Sequence, residues 1–80
     1  MQNVQVKSHR LTVILFDRKI TYPQLAKKIG ISGNSLQQKI NGQRRWWIDE
    51  CVSIAKYLGY EDLREVFPEV YEHILKNIAS

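Results

Sequence analysis

Apolar positions recur at helical spacing along most of the chain. Between Ser8 and Arg18, Leu11, Ile14 and Leu15 fall at i, i+3 and i+4, the stripe of an amphipathic helix, although the run LTVILF alone would also suit a buried strand. Thr21 followed three residues later by Gln24 spells a capping box, and predicts a helix that Gly30 closes with Leu25, Ala26 and Ile29 turned inward. Pro23 is tolerated only in a first turn, so the start of this helix can shift by a residue. Ser32 then caps a second short helix, in which Leu36 and Ile40 share a side and Gly42 marks the end.

The next stretch, WWIDECVSIAKYLGY, places Ile48, Cys51, Ile54, Ala55 and Leu58 in helical register, with acids in its first turn and Gly59 past its end. EDLREVF predicts a short amphipathic turn or two. Pro68 interrupts it, and EVYEHILKNIA continues with Val70, Ile74, Leu75 and Ile78 on one side. No repeat or low-complexity tract is present, and only the chain ends read as loose, residues 1–7 among them. The expectation is one all-α domain over residues 1–80, a compact five-helix arrangement with 68–80 as a C-terminal helical extension.

Size narrows the functions open to such a chain. Its 80 residues suffice for one core but leave little room for a large enzyme cleft. The lone Cys51 has no internal disulfide partner, and His9 and His73 stand far apart without zinc-site spacing, so no metal or other cofactor is expected. No apolar run approaches the roughly 20 residues of a membrane span, and the N-terminus lacks the order of a signal peptide, which points to a cytoplasmic protein with no membrane partner. Neither histidine neighbours Cys51, and no phosphate-loop or paired-carboxylate motif occurs, so no enzyme is expected.

Charge changes the picture further. The net charge is +4, but residues 18–48 carry seven basic residues (Arg18, Lys19, Lys27, Lys28, Lys39, Arg44 and Arg45) and no acid, whereas 49–80 carry seven acids against Lys56, Arg64 and Lys76. So long an acid-free run suits a polyanion, and nucleic acid is the leading partner, although a basic patch can also be no more than a solvated face.

Two short helices joined by a tight glycine turn form the centre of the chain. Ala26 allows the helices to approach, Gly30 supplies a left-handed turn conformation, and Ile31, Leu36 and Ile40 bury the second helix against the first. The segment TYPQLAKKIGISGNSLQQKING, Thr21 to Gly42, resembles the helix-turn-helix of the lambda-repressor-like family of phage repressors and Cro proteins, whose pattern reads T-x-x-x-L-A-x-x-x-G-I-S-x-x-x-L-x-x-x-x-N-G. The downstream helix IDECVSIAKYLG is similar too, so the resemblance spans roughly residues 8 to 67. IGISGNSL also spells the G-x-x-G loop of a KH domain, which clamps single-stranded nucleic acid. That order fails after Gly42, where the chain offers a helical pattern in place of further strands.

The resemblance implies double-stranded DNA as partner, with the second helix in the major groove and its N-terminal residues at base edges. At 100° per residue from Leu36 and Ile40, the outward face is Asn34, Gln38 and Asn41, with Gln37 on one flank and Ser35 and Lys39 on the other. Amide side chains pair bidentately with adenine, whereas carboxylates would repel phosphate; the competing reading is that these amides only solvate a surface. Family members often carry a base-reading glutamine where this chain has Gly33, which either costs a contact or lets the helix sit deeper. Asn41, Gln43, Arg44 and Arg45 follow where the family's loop meets the sugar-phosphate backbone. Tyr22 stands where the family often binds phosphate through a glutamine; its hydroxyl could substitute, or the ring could simply pack.

The tryptophans divide. Trp46 falls where the family buries an aromatic residue. Trp47 occupies an N-cap site that its side chain cannot serve, and is either exposed, suiting DNA backbone or a protein partner, or folded over the core. One such domain reads few base pairs, so a homodimer on a pseudo-palindromic operator is expected. Val66, Phe67, Val70, Tyr71, Ile74, Leu75 and Ile78 either form its interface or finish a small core. The family implies a Cro-like transcriptional repressor of phage or prophage type that occupies an operator. The alternative is a protein-binding modulator, an antirepressor, corepressor or antitoxin, acting through the C-terminal segment or Trp47.

Overall fold

The computed structural model describes residues 3–79, with side chains as far as residue 76, so Ile78 of the C-terminal stripe lies outside the described side chains. In chain order the elements are β1 (Asn3–Val4), α1 (His9–Asp17), α2 (Tyr22–Ile29), α3 (Gly33–Ile40), β2 (Trp46–Trp47), α4 (Ile48–Tyr57), α5 (Leu63–Val66) and α6 (Pro68–Ala79). The chain is all-α as expected. Six helices are present among the described residues, α6 being the extension beyond the five, and Pro68 opens it, where a missing N–H costs nothing.

Local chemistry accounts for α2 and α3. The Thr21 hydroxyl accepts from the Gln24 N–H at 3.3 Å, and the Gln24 side chain accepts from the Thr21 N–H at 2.8 Å, so both halves of the capping box form. Gly30 sits at φ 80°, which a side chain would strain, and this lets the Ile31 N–H reach the Ala26 carbonyl at 3.0 Å. Ser32 caps α3 by accepting from the Ser35 N–H at 3.0 Å. LTVILF is helical, its ambiguity resolved by Leu11, Ile14 and Leu15 all facing the core.

That core is a single cluster. It joins these three to Leu25, Ala26, Leu36, Ile40, Trp46, Cys51, Ile54, Ala55, Leu58, Val66, Phe67 and Val70. Trp46 is fully buried and meets Phe67 edge-on, with centroids 5.2 Å apart and planes at 70°, a favoured aromatic geometry. Its indole N–H donates to the Ser8 hydroxyl at 2.8 Å. Ser8 precedes α1, but its hydroxyl is committed to Trp46 and makes no cap. The Arg10 N–H in the first turn of α1 instead donates to Glu69 of α6 at 3.2 Å.

One sequence expectation is corrected here, and one open alternative is decided. The N-terminal segment, read as loose, is tied down over residues 3–8: β1 pairs antiparallel with β2, Asn3 opposite Trp47 and Val4 opposite Trp46. Val4 is buried, Lys7 forms an isolated bridge with Asn41, and the Ser8 N–H donates to the Ile40 carbonyl at 2.9 Å. Two-residue strands are too short for any periodicity, so pairing across some forty positions leaves no local trace. In the C-terminal segment, Val66, Phe67 and Val70 are fully buried within the chain's own core and Ile74 packs on it. The core-finishing alternative holds for these four, and among the described side chains of α6 Leu75 is the large apolar residue left exposed.

Candidate nucleic-acid interface

Leu36 and Ile40 press α3 onto the core, which leaves the opposite side of the helix to solvent. Asn34, Gln37 and Asn41 are exposed there and Gln38 is half-buried beside them. After α3 the chain reverses at Gly42, φ 80°, so that the Gln38 carbonyl accepts from the N–H groups of both Gln43, at 2.8 Å, and Arg44, at 3.2 Å. This folds the loop back beside the helix. Gln43, Arg44 and Arg45 are exposed along it, and the Arg44 guanidinium donates to the Ser35 hydroxyl at 3.1 Å. Ser35 therefore holds Arg44 in place. A Cβ added at Gly33 would lie 3.8 Å from Pro23, an ordinary contact, so sterics within the domain do not demand glycine there.

Lys39 departs from its expected place on the outer flank. It is buried, with its ammonium 2.6 and 2.7 Å from the two Glu50 carboxylate oxygens and 5.9 Å from the Trp46 ring. The same carboxylate accepts from the Trp47 N–H at 2.9 Å. Glu50 thereby makes the N3 half of a capping box, while the N-cap half is left unmade because an indole has no acceptor, and it anchors α3 to the start of α4 in one stroke. The helical projection erred because a lysine beside Leu36 and Ile40 can lay its long stem along apolar surface and carry its charge to a buried partner.

Trp47 is 43 % exposed, in line with the first of its two alternatives. Tyr22 opens α2 half-buried and packed against the core, closer to the packing alternative. The acid-free run does not form one face. Arg18 donates to the Leu58 carbonyl and lies 5.0 Å from the Tyr60 ring, while the Lys28 ammonium lies 5.9 Å from the Tyr57 ring. These two cations serve the end of α4, and the loop after α3 carries the positive charge beside the amide face.

Two residues next to this surface had no signal in the sequence. The Gln5 side-chain amide donates to the Gly42 carbonyl at 3.0 Å, and Lys7 sits bridged to Asn41; both side chains are exposed. The approach is close enough that a Cβ on Gly42 would come within 3.2 Å of the Lys7 side chain and 3.3 Å of its backbone nitrogen. Gly42 is thus required both by its conformation and by the segment laid across it.

Cys51 lies in the core, where loss of hydration, reinforced by the Glu50 carboxylate, pushes its thiol up to about 12 from an ordinary 9.0. It is inert at neutral pH. Among the described residues no cluster of His, Cys, Asp and Glu could hold a metal ion, and no helix is long and apolar enough to cross a membrane.

A capped helix pair, an amide-lined outer face and an arginine loop together call for comparison with DNA-binding domains. A family model described as the Cro/C1-type HTH DNA-binding domain matches residues 10–66, from the first turn of α1 to the end of α5, leaving β1 and α6 outside it. No curated protein and no solved structure matched the chain. With most of its length covered by that model and the helix pair in place, the chain belongs to the Cro/C1-type helix-turn-helix DNA-binding family.

Proposed function

We propose that this chain is a sequence-specific transcriptional regulator, a Cro-like repressor of the phage or prophage kind that occupies an operator in cytoplasmic DNA and so excludes polymerase. The observation that carries the reading is the outer face of α3, where Asn34, Gln37, Gln38 and Asn41 stand clear of the core with no carboxylate among them. Asn34 and Gln38 read bases, adenine above all, with Gln37 on the flank. Gln43, Arg44 and Arg45 hold the sugar-phosphate backbone beside Asn41, with Ser35 steadying Arg44. Tyr22 offers its hydroxyl to a phosphate at the start of α2. Two copies bind half-sites about one helical turn, roughly 34 Å, apart.

Selection of sites from a random duplex pool, followed by a salt titration of the selected duplex and sedimentation of the free protein, tests this. Tight, steeply salt-dependent binding to a pseudo-palindrome is the expected result. Weak, sequence-blind binding by a monomer would overturn it in favour of a modulator that works through a protein partner, for which the exposed Trp47 is the supporting feature.

A further inference from the structure

Both segments that lie outside the family match come together at one place. Asn3, Val4 and Gln5 of the N-terminal segment, Arg45 of the loop between α3 and β2, and His73 of α6 line an open cleft of about 360 Å³. Four of these five residues carry side-chain N–H donors, Asn3, Gln5, Arg45 and His73, and none carries a carboxylate. The Glu69 carboxylate, one helical turn before His73, accepts from the Arg10 N–H at 3.2 Å at the start of α1. A donor-rich recess of this kind suits a tetrahedral oxyanion.

Its position says which one. Gln5 reaches from the cleft to the Gly42 carbonyl at 3.0 Å, and Arg45 follows directly on Arg44, which is bonded to Ser35 of α3 at 3.1 Å. The cleft therefore borders the loop that flanks the amide face. We propose that it seats one backbone phosphate of the bound DNA, flanking those held by the loop, with Arg45 and His73 as its principal donors and the amides of Asn3 and Gln5 completing the recess. The inference rests on the DNA-binding reading above and enlarges the footprint beyond the helix-turn-helix itself.

The test uses the full chain and its selected operator. Arg45→Ala, His73→Ala and the double variant are titrated against operators in which single phosphates are replaced by neutral methylphosphonates. One phosphate per half-site should emerge whose neutralisation weakens the native protein by about tenfold but leaves the double variant unchanged. Arg45→Lys and His73→Gln, which keep a charge and a donor, should restore part of the loss, and unchanged circular dichroism and melting exclude misfolding as its cause. Losses that simply multiply, with every phosphate counting equally for native and double-variant proteins, would overturn the proposal. So would a cleft that shifts the His73 ring resonances with inorganic phosphate yet couples to no operator phosphate, since its ligand would then be a free anion. Absence of any duplex binding by the native protein would strike the regulator reading itself, whereas tight operator binding with no coupling between Arg45 and His73 strikes the cleft alone.

Discussion

The α2–α3 pair and the frame around it are built on different ranges. Within the pair, Thr21 and Gln24 cap one another, Ser32 caps three residues on, and Gly30 turns the chain; every such interaction closes within about one helical turn. The frame is joined over long separations: Trp46 to Ser8, Val4 to Trp46, Arg10 to Glu69, Lys39 to Glu50. Apart from Lys39, which reaches inward to Glu50, the pair presents polar groups outward and can change them at little cost to folding. The frame turns polar groups inward, where each depends on one distant partner. Loss of a frame partner should destabilise the protein, and loss of a face residue should only blind it.

Glu50→Ala would break this contrast most severely. It leaves the buried Lys39 ammonium unpaired and the Trp47 N–H uncapped, and a cost of about 3–5 kcal/mol is expected from chemical denaturation. Lys39→Met, which keeps the stem and drops the charge, should cost less than Lys39→Ala, since an apolar replacement of similar shape limits the loss; equal costs would argue that packing of the stem is unimportant. Next comes Gln38→Ala, expected to leave the melting temperature unchanged while weakening operator binding by about 1–3 kcal/mol per half-site and relaxing base preference at one position. A retained preference in selected sites would remove Gln38 from the reading face.

Ser8→Ala tests the frame more gently. It orphans the buried Trp46 N–H, and a loss of about 1–3 kcal/mol is expected, against about 1 kcal/mol for Thr21→Ala in the locally capped pair. A larger cost at Thr21 than at Ser8 would invert the comparison. The last prediction concerns pH. Because folding raises the Cys51 thiol to about 12, the folded state holds this proton more tightly than the unfolded chain does. The contribution is complete below about pH 9 and is lost as the pH rises towards 12. Cys51→Ala should therefore flatten part of the alkaline decline in stability, and native Cys51 should resist alkylation at pH 8.

Much of the fold was legible from residues alone, and the reason is range. Caps, left-handed glycines and apolar stripes act between neighbours, so Thr21, Ser32 and Gly30 announced α2 and α3, and the face of α3 followed from Leu36 and Ile40. Lys39 was misplaced because a projection of 100° per residue locates the Cα, whereas a four-carbon stem decides where the charge ends. Residues 3–8 were read as loose because a two-residue strand has no pattern until Trp46 and Trp47 stand opposite it. The basic run 18–48 read as one patch, yet Arg18 and Lys28 lie against Tyr60 and Tyr57 of the far side, since helices distribute consecutive charges around their axes.

The amino-acid sequence by itself determined the helix pair, its outward amides and its family, because these depend on contacts between residues close together in the chain. Only the tertiary structure decided which charges face out, that Glu50 serves two helices at once, that Val66, Phe67 and Val70 finish the core, and that the two segments outside the matched domain meet at Arg45. Those outcomes depend on side chains brought together from distant positions, and such meetings are settled by the packing of the whole core.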